Sequence, residues 1–165
     1  MARLEDIRGL AEAHASSISS SPRDWMNYLD TAARLYRYPF MDQLLVQAQR
    51  RQATACASLE LWNQKMFRWV NRGAKGIALI DETTQKTRLR YVFDVQDTHM
   101  VNGGRTPYLW KLQEEQQEEV LLHLEEVYGL EAKDTKNLSD ALMATARYMV
   151  EENLEEYLDL SLIHI

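Results

Sequence analysis

Apolar positions recur at helical spacing through the first 50 or so residues of the chain. Leu4, Ile7, Leu10 and Ala11 predict a helix from about Leu4 to Ser16. A serine-rich patch, Ser16–Ser21, links it to a second helix with Ser21 as N-cap and Pro22 at the first helical position. That helix runs to about Tyr36, with Trp25, Leu29, Ala32 and Ala33 on one face. Pro39 separates it from a third, about Met41 to Arg51, striped by Leu44, Leu45 and Ala48. Ala53–Ala57 fits a strand or a loop. Ser58 then predicts the N-cap of a short helix through Met66 that buries Leu59, Trp62 and Met66.

Beyond Asn71-Arg72-Gly73 the period changes from helical to alternating. Ile77–Ile80 reads as a strand, followed by a polar turn at Asp81–Lys86. From Arg88 to Val95, Leu89, Tyr91, Phe93 and Val95 share one face; Arg88, Arg90 and Asp94 share the other, which Val92 interrupts. The two runs predict an antiparallel hairpin. Asn102-Gly103-Gly104 marks a loop. Helical spacing returns from about Gln113 to Tyr128, ended by Gly129. A last helix begins near Asn137 or Ser139, carries Leu142, Met143, Ala146 and Met149 or Val150, and continues through Leu154 and Leu158. The fold class is α+β: N-terminal helices packed on a small antiparallel β-sheet, followed by acidic C-terminal helices.

Charge divides the chain at the same place as the pattern. The 165 residues carry a formal net charge of −6. Residues 1–112 hold 16 Lys/Arg against 11 Asp/Glu, a net of +5, and residues 113–165 hold 3 against 14, a net of −11. The expected organisation is a basic domain over 1–112 and an acidic helical extension over 113–160. The last helix stops without a cap, Gly or Pro, so the chain reads as the start of a larger protein, with 161–165 as a non-native end. At 45% hydrophobic and 27% charged residues, the chain can bury a real core. No apolar run approaches the roughly 18 to 20 residues that span a bilayer, and no secretory leader is recognisable. The single cysteine, Cys56, excludes an internal disulfide framework and a multi-cysteine zinc site. A cytoplasmic protein without membrane attachment is expected.

Candidate chemistry concentrates between Tyr36 and Ile80. Seven Lys/Arg, from Arg37 to Lys75, sit among Tyr36, Tyr38, Phe40, Trp62, Phe67 and Trp69, opposed only by Asp42 and Glu60. Cations to hold phosphates and flat rings to stack bases are the ingredients of a surface for single-stranded nucleic acid. Arg72–Gly76 is a tight basic turn whose glycines let backbone N–H groups approach a phosphate, though it lacks the spacing of a nucleotide P-loop. Trp25 and Trp62 lie on apolar helical faces and read as core. Trp69 either packs inward, leaving Arg68 and Arg72 in solvent, or stacks a base. Asp94, Asp97 and His99 are the nearest thing to a metal cluster, but such a run at a strand exit reads first as a polar turn. Cys56, in an apolar run with no His partner, reads as a structural thiol. No cofactor is implied and no catalytic motif is present.

The ordered series Trp25…Leu29…Ala32, Tyr38-Pro39-Phe40, Gln43-Leu44-Leu45, Ala53-Thr54-Ala55, Trp62-Asn63 and Val70 through Ile77 resembles the N-terminal domain of ArdC-type antirestriction proteins. It is most similar to the versions that head large mobile-element proteins fused to helicase and DNA-methylase regions. The resemblance spans roughly Ser21 to Leu112. It implies a non-enzymatic, sequence-independent single-stranded DNA-binding domain in a DNA-processing or antirestriction protein. Helicase or methylase regions of the same polypeptide would be its partners. Nothing here matches the metalloprotease-like domain of ArdC itself. Within this reading Arg50, Arg68, Arg72, Lys75, Arg88 and Arg90 contact phosphates, and Trp69 and Tyr91 stack bases. Two rivals stand beside it: a protein-interaction module whose acidic helices engage a DNA-binding partner such as a restriction enzyme, and a hydrolase centred on Asp94, Asp97 and His99.

Overall fold

A computed structural model describes residues 2–83, 85–109, 111–130 and 136–152. The fold is α+β, and the chain divides into two compact units, Met1–Trp110 and Lys111–Ile165.

In the first unit, helix α1 spans Leu4–Ser19, α2 Pro22–Arg34 and α3 Phe40–Gln49. Helix α1 continues three residues beyond its expected end because Ile18 has somewhere to go. It buries against Tyr28 and Leu44, and Ser19 and Ser20 donate their hydroxyls back to the carbonyls of Ser16 and Ser17. Ser21 caps α2 by accepting from the Asp24 N–H at 3.1 Å, ahead of Pro22. The buried stripe of α2 is Tyr28, Thr31 and Leu35, so Trp25 and Leu29, expected inside, stand 44% and 47% exposed. Tyr28 wins the inward place because its hydroxyl finds a buried acceptor, Gln43 Oε1, at 2.7 Å.

Helix α3 is covered on nearly all sides, and its glutamines satisfy the polar groups that burial would otherwise orphan. Gln43 donates to the carbonyls of Leu35 and Tyr38. Gln47 joins His14 of α1 to the Asn27 carbonyl.

Strands β1 (Cys56–Ala57), β3 (Ile77–Asp81) and β4 (Arg88–Asp94) form an antiparallel sheet in the order β1-β4-β3; β2 (Arg68–Val70) pairs separately with β5 (Thr98–Met100). The predicted hairpin is β3–β4, in the register Ile77↔Val92 and Asp81↔Arg88. Gln49 closes the free edge of β3: its amide donates to Ala78 O at 2.8 Å and accepts from Ala78 N at 2.9 Å. The core joins Ile7 and Ala11 of α1, Leu45 and Val46 of α3, and Ile77, Leu79 and Val92 of the hairpin. Between β1 and β2 lies a π-helical turn, Leu61–Lys65. It buries Trp62, whose indole donates to Phe93 O at 2.8 Å, while Leu59 stays 48% exposed rather than packing inward.

In the second unit, α4 (Glu114–Tyr128) ends on Gly129 at φ 62°, and α5 (Leu138–Glu152) starts from Asn137, which caps the Asp140 N–H at 3.0 Å. The two helices pack on each other, with Tyr128 and Tyr148 edge to face. Leu154, Leu158 and residues 161–165 lie outside the described residues.

Candidate nucleic-acid interface

The eight residues singled out from the sequence divide into two groups. Arg50, the residue after α3, is ion-paired with Asp97. Arg88 pairs with Asp81 at 3.0 Å, its cross-strand neighbour. Arg90 pairs with Asp42 of α3. Arg68 is buried, with Nε donating to Thr98 Oγ1 at 2.8 Å and a terminal nitrogen to Thr98 O. These four guanidiniums are engaged by partners within the unit and hold its own elements together.

The alternation in β4 is real. Val92 marks the face turned to the core, and Arg90 and Asp94 share it. Asp94 is fully buried and is satisfied by backbone donors, Thr54 N at 2.7 Å, Ala55 N at 3.1 Å and Gln96 N at 3.0 Å. The opposite face carries Leu89, Tyr91 and Phe93.

Trp69, Tyr91, Arg72 and Lys75 form the second group. Trp69 is 58% exposed on β2 and faces His99 of β5 across the ladder. His99 Nδ1 in turn lies 2.7 Å from Asn71 Oδ1, which orients the imidazole beside the indole. The turn from Asn71 to Gly76 is closed by Ala74 N donating to Asn71 O and is anchored by Asn71 N donating to Asp97 O. Gly73 sits at φ 86°, where a side chain would be strained. Gly76 lies so close beneath Tyr91 and Phe93 that a Cβ there would come within 3.2 Å of both. The turn therefore runs from the strand bearing the exposed indole to the foot of the exposed Tyr91 ring. Arg72 and Lys75 protrude from it, with no hydrogen bond or ion pair to another described residue. Just before β2, Phe67 adds a 45% exposed ring from a backbone at φ 50°, a region that costs a non-glycine residue about 1 kcal/mol.

Sequence reasoning left His99 and Asn71 out of this set. The available signal was the neighbouring alternation of Phe67, Trp69 and Asn71, which becomes informative only once Trp69 is known to face out.

The Asp94, Asp97 and His99 side chains turn to three different partners: backbone amides, Arg50 and Asn71. Among the described residues no group of three or more His, Cys, Asp or Glu is placed to hold a metal ion. Cys56 sits in β1 with its thiol pushed up to about 12 by burial and by the nearby Asp94 carboxylate, which disfavours the reactive thiolate. Among the described residues no helix is long and apolar enough to cross a membrane. Comparison with protein-family models, curated proteins and solved structures finds no match for this chain.

Proposed function

We propose that residues 1–112 form a sequence-independent single-stranded DNA-binding domain of a bacterial mobile-element DNA-processing or antirestriction protein. The reading rests on one observation. Two exposed rings, Trp69 and Tyr91, flank a glycine turn whose two cations, Arg72 and Lys75, have no carboxylate partner among the described residues. Rings that stack any base and cations that meet phosphates without reading sequence are what such binding requires. The +5 charge of residues 1–112 and the ArdC-type resemblance favour the same reading. The domain acts by binding alone, and helicase or methylase regions of the same polypeptide are its partners.

Fluorescence anisotropy with matched single- and double-stranded oligonucleotides tests it. Single strands should bind better, and affinity should fall steeply with salt. Arg72→Ala with Lys75→Ala should flatten the slope of log K against log salt by about 1.4, at ~0.7 per phosphate contact. Trp69→Ala should cost ~1–3 kcal/mol. Wild-type affinity in both variants would remove this surface as the binding site, and no single-strand binding by the wild-type chain would remove the reading.

A second reading has one observation behind it. Helix α4 exposes Glu114, Glu115, Glu118, Glu119 and Glu126 and contains no Lys or Arg, a surface suited to a DNA-binding protein partner.

A further inference from the structure

A cleft of about 410 Å³ opens in the first unit near the free edge of β1. Its floor is apolar, with Trp62, Leu61 and Met66. Its rim carries Tyr36, 55% exposed, and Tyr108, 81% exposed. Among the described residues, two arginines line it, Arg34 and Arg37, and no carboxylate does. That absence is informative in a chain with 25 Asp/Glu. A second cleft in the same unit, about 590 Å³, is lined by Arg8 and Arg90 but also by Glu12, Asp42, Asp81 and Glu82, and Arg90 is paired with Asp42, so its acidic balance disfavours an anion.

The two arginines have different tasks. Arg34 is committed to structure: it donates to the carbonyls of Ala53 and Arg51 and to Thr31 Oγ1, holding α2 to the loop before β1. Arg37 is not committed in this way. Its guanidinium lies 5.5 Å from the centre of the Tyr36 ring, and its Nε donates to the Tyr36 hydroxyl at 3.1 Å. This fixes the guanidinium plane and leaves both terminal nitrogens without a partner among the described residues. The wall is fixed as well, since Tyr38 donates its hydroxyl to Cys56 O at 2.7 Å.

We propose that this cleft binds one nucleotide unit. The flat base packs against the Tyr108 ring over the apolar floor, and the phosphate takes the free N–H groups of Arg37. A cleft of this size falls within the range of about 300–1,000 Å³ common to small-molecule sites. The nucleotide is one residue of a bound single strand. The chain connects the sites directly: Met66 lines the cleft, and Phe67 and Trp69 follow it toward Arg72. The strand as source rests on the single-strand reading above; the chemistry of the cleft does not.

The test uses the full chain and two probes, a fluorescein-labelled twelve-nucleotide oligothymidylate and free thymidine monophosphate followed by ligand-observed NMR. The variant is Arg37→Ala with Tyr108→Ala; both side chains are exposed, so its melting temperature should match wild type. The expected result is about a tenfold loss of oligonucleotide affinity, with the mononucleotide signal abolished. Oligonucleotide and mononucleotide binding both equal to wild type would overturn the cleft, whatever Trp69→Ala does. A loss in this variant combined with no effect of Trp69→Ala or of Arg72→Ala/Lys75→Ala would keep the cleft and remove the surface reading. If the wild-type chain binds only the mononucleotide, and the variant loses it, the cleft is a free-nucleotide site and the strand is not the source. If wild type binds neither probe, both readings fall.

Discussion

Arg90 donates to Asp42, a carboxylate buried on α3, and the pair ties the helix layer to the hairpin. Burial pushes the Asp42 carboxyl up from its ordinary value, and the guanidinium opposes that push. Removing the cation leaves a buried charge unpaired, which is costly because water cannot replace the partner. Arg90→Ala should therefore destabilise the domain by about 2 kcal/mol, less than a fully buried pair would lose because the Arg90 side chain is 39% exposed. Asp42→Asn in the same background should return part of that loss. Arg72→Ala with Lys75→Ala should move stability by no more than ~0.5 kcal/mol, as expected for unpaired surface cations. Urea unfolding beside oligonucleotide titration separates the roles. An Arg90→Ala protein of unchanged stability and weakened DNA affinity would make Arg90 a phosphate contact instead of a structural one.

At the scale of elements, the β3–β4 hairpin begins its connection on Asp81. The Thr83 hydroxyl donates to Asp81 Oδ1 at 2.6 Å, Arg88 to Oδ2 at 3.0 Å, and Thr83 N to Oδ1 at 3.1 Å. These donors, the Thr83 hydroxyl first, hold the carboxyl down to about 2. A folded-state value below the unfolded one, near 4, means the unfolded chain binds the proton more readily. The stabilisation is thus complete above about pH 4 and disappears as pH falls toward 2. Melting curves from pH 5 to 2 should show Asp81→Asn with a shallower acid decline than wild type; equal declines would mean the turn is not set by this carboxylate. The same hairpin shows where sequence reading stops. Alternation locates a strand and its two faces because Cβ direction has period two. Which face is inward depends on partners supplied from elsewhere in the chain. Arg90 and Asp94 face the core because Asp42 lies 48 residues away and the Thr54 and Ala55 amides 40 and 39 residues away, and no local pattern encodes those meetings. Trp25 was misplaced for the same reason, since Gln43 gives Tyr28 a buried acceptor and leaves the larger indole outside. The Ser21-Pro22 start and the Gly129 stop were legible because caps act within a single turn. The Arg72–Gly76 turn was legible as well, since glycine spacing and local charge define it. The pairing of Arg50, Arg88 and Arg90 was not.

At the scale of the molecule, a basic unit and an acidic unit share one chain. All residues of the two apolar clusters named in the first unit lie between Ile7 and Val92, so that unit holds its own core. Cutting after Leu112 removes a net charge of −11 and leaves +5. If residues 1–112 bind single-stranded DNA as proposed, the negative charge of residues 113–165 in the same chain should weaken that binding, and more strongly when little salt screens it. The Debye length is about 30 Å at 0.01 M salt and 8 Å at 0.15 M. A fragment of residues 1–112 should therefore fold cooperatively and bind single-stranded oligonucleotide more tightly than the full chain. The margin should be largest at low ionic strength and small at 0.15 M. The salt series matters because a steric block by the helices would weaken the full chain equally at every ionic strength. A fragment that folds but binds less tightly than the full chain would mean that residues 113–165 contribute to DNA binding, and the division into a binding unit and an acidic appendage would be wrong.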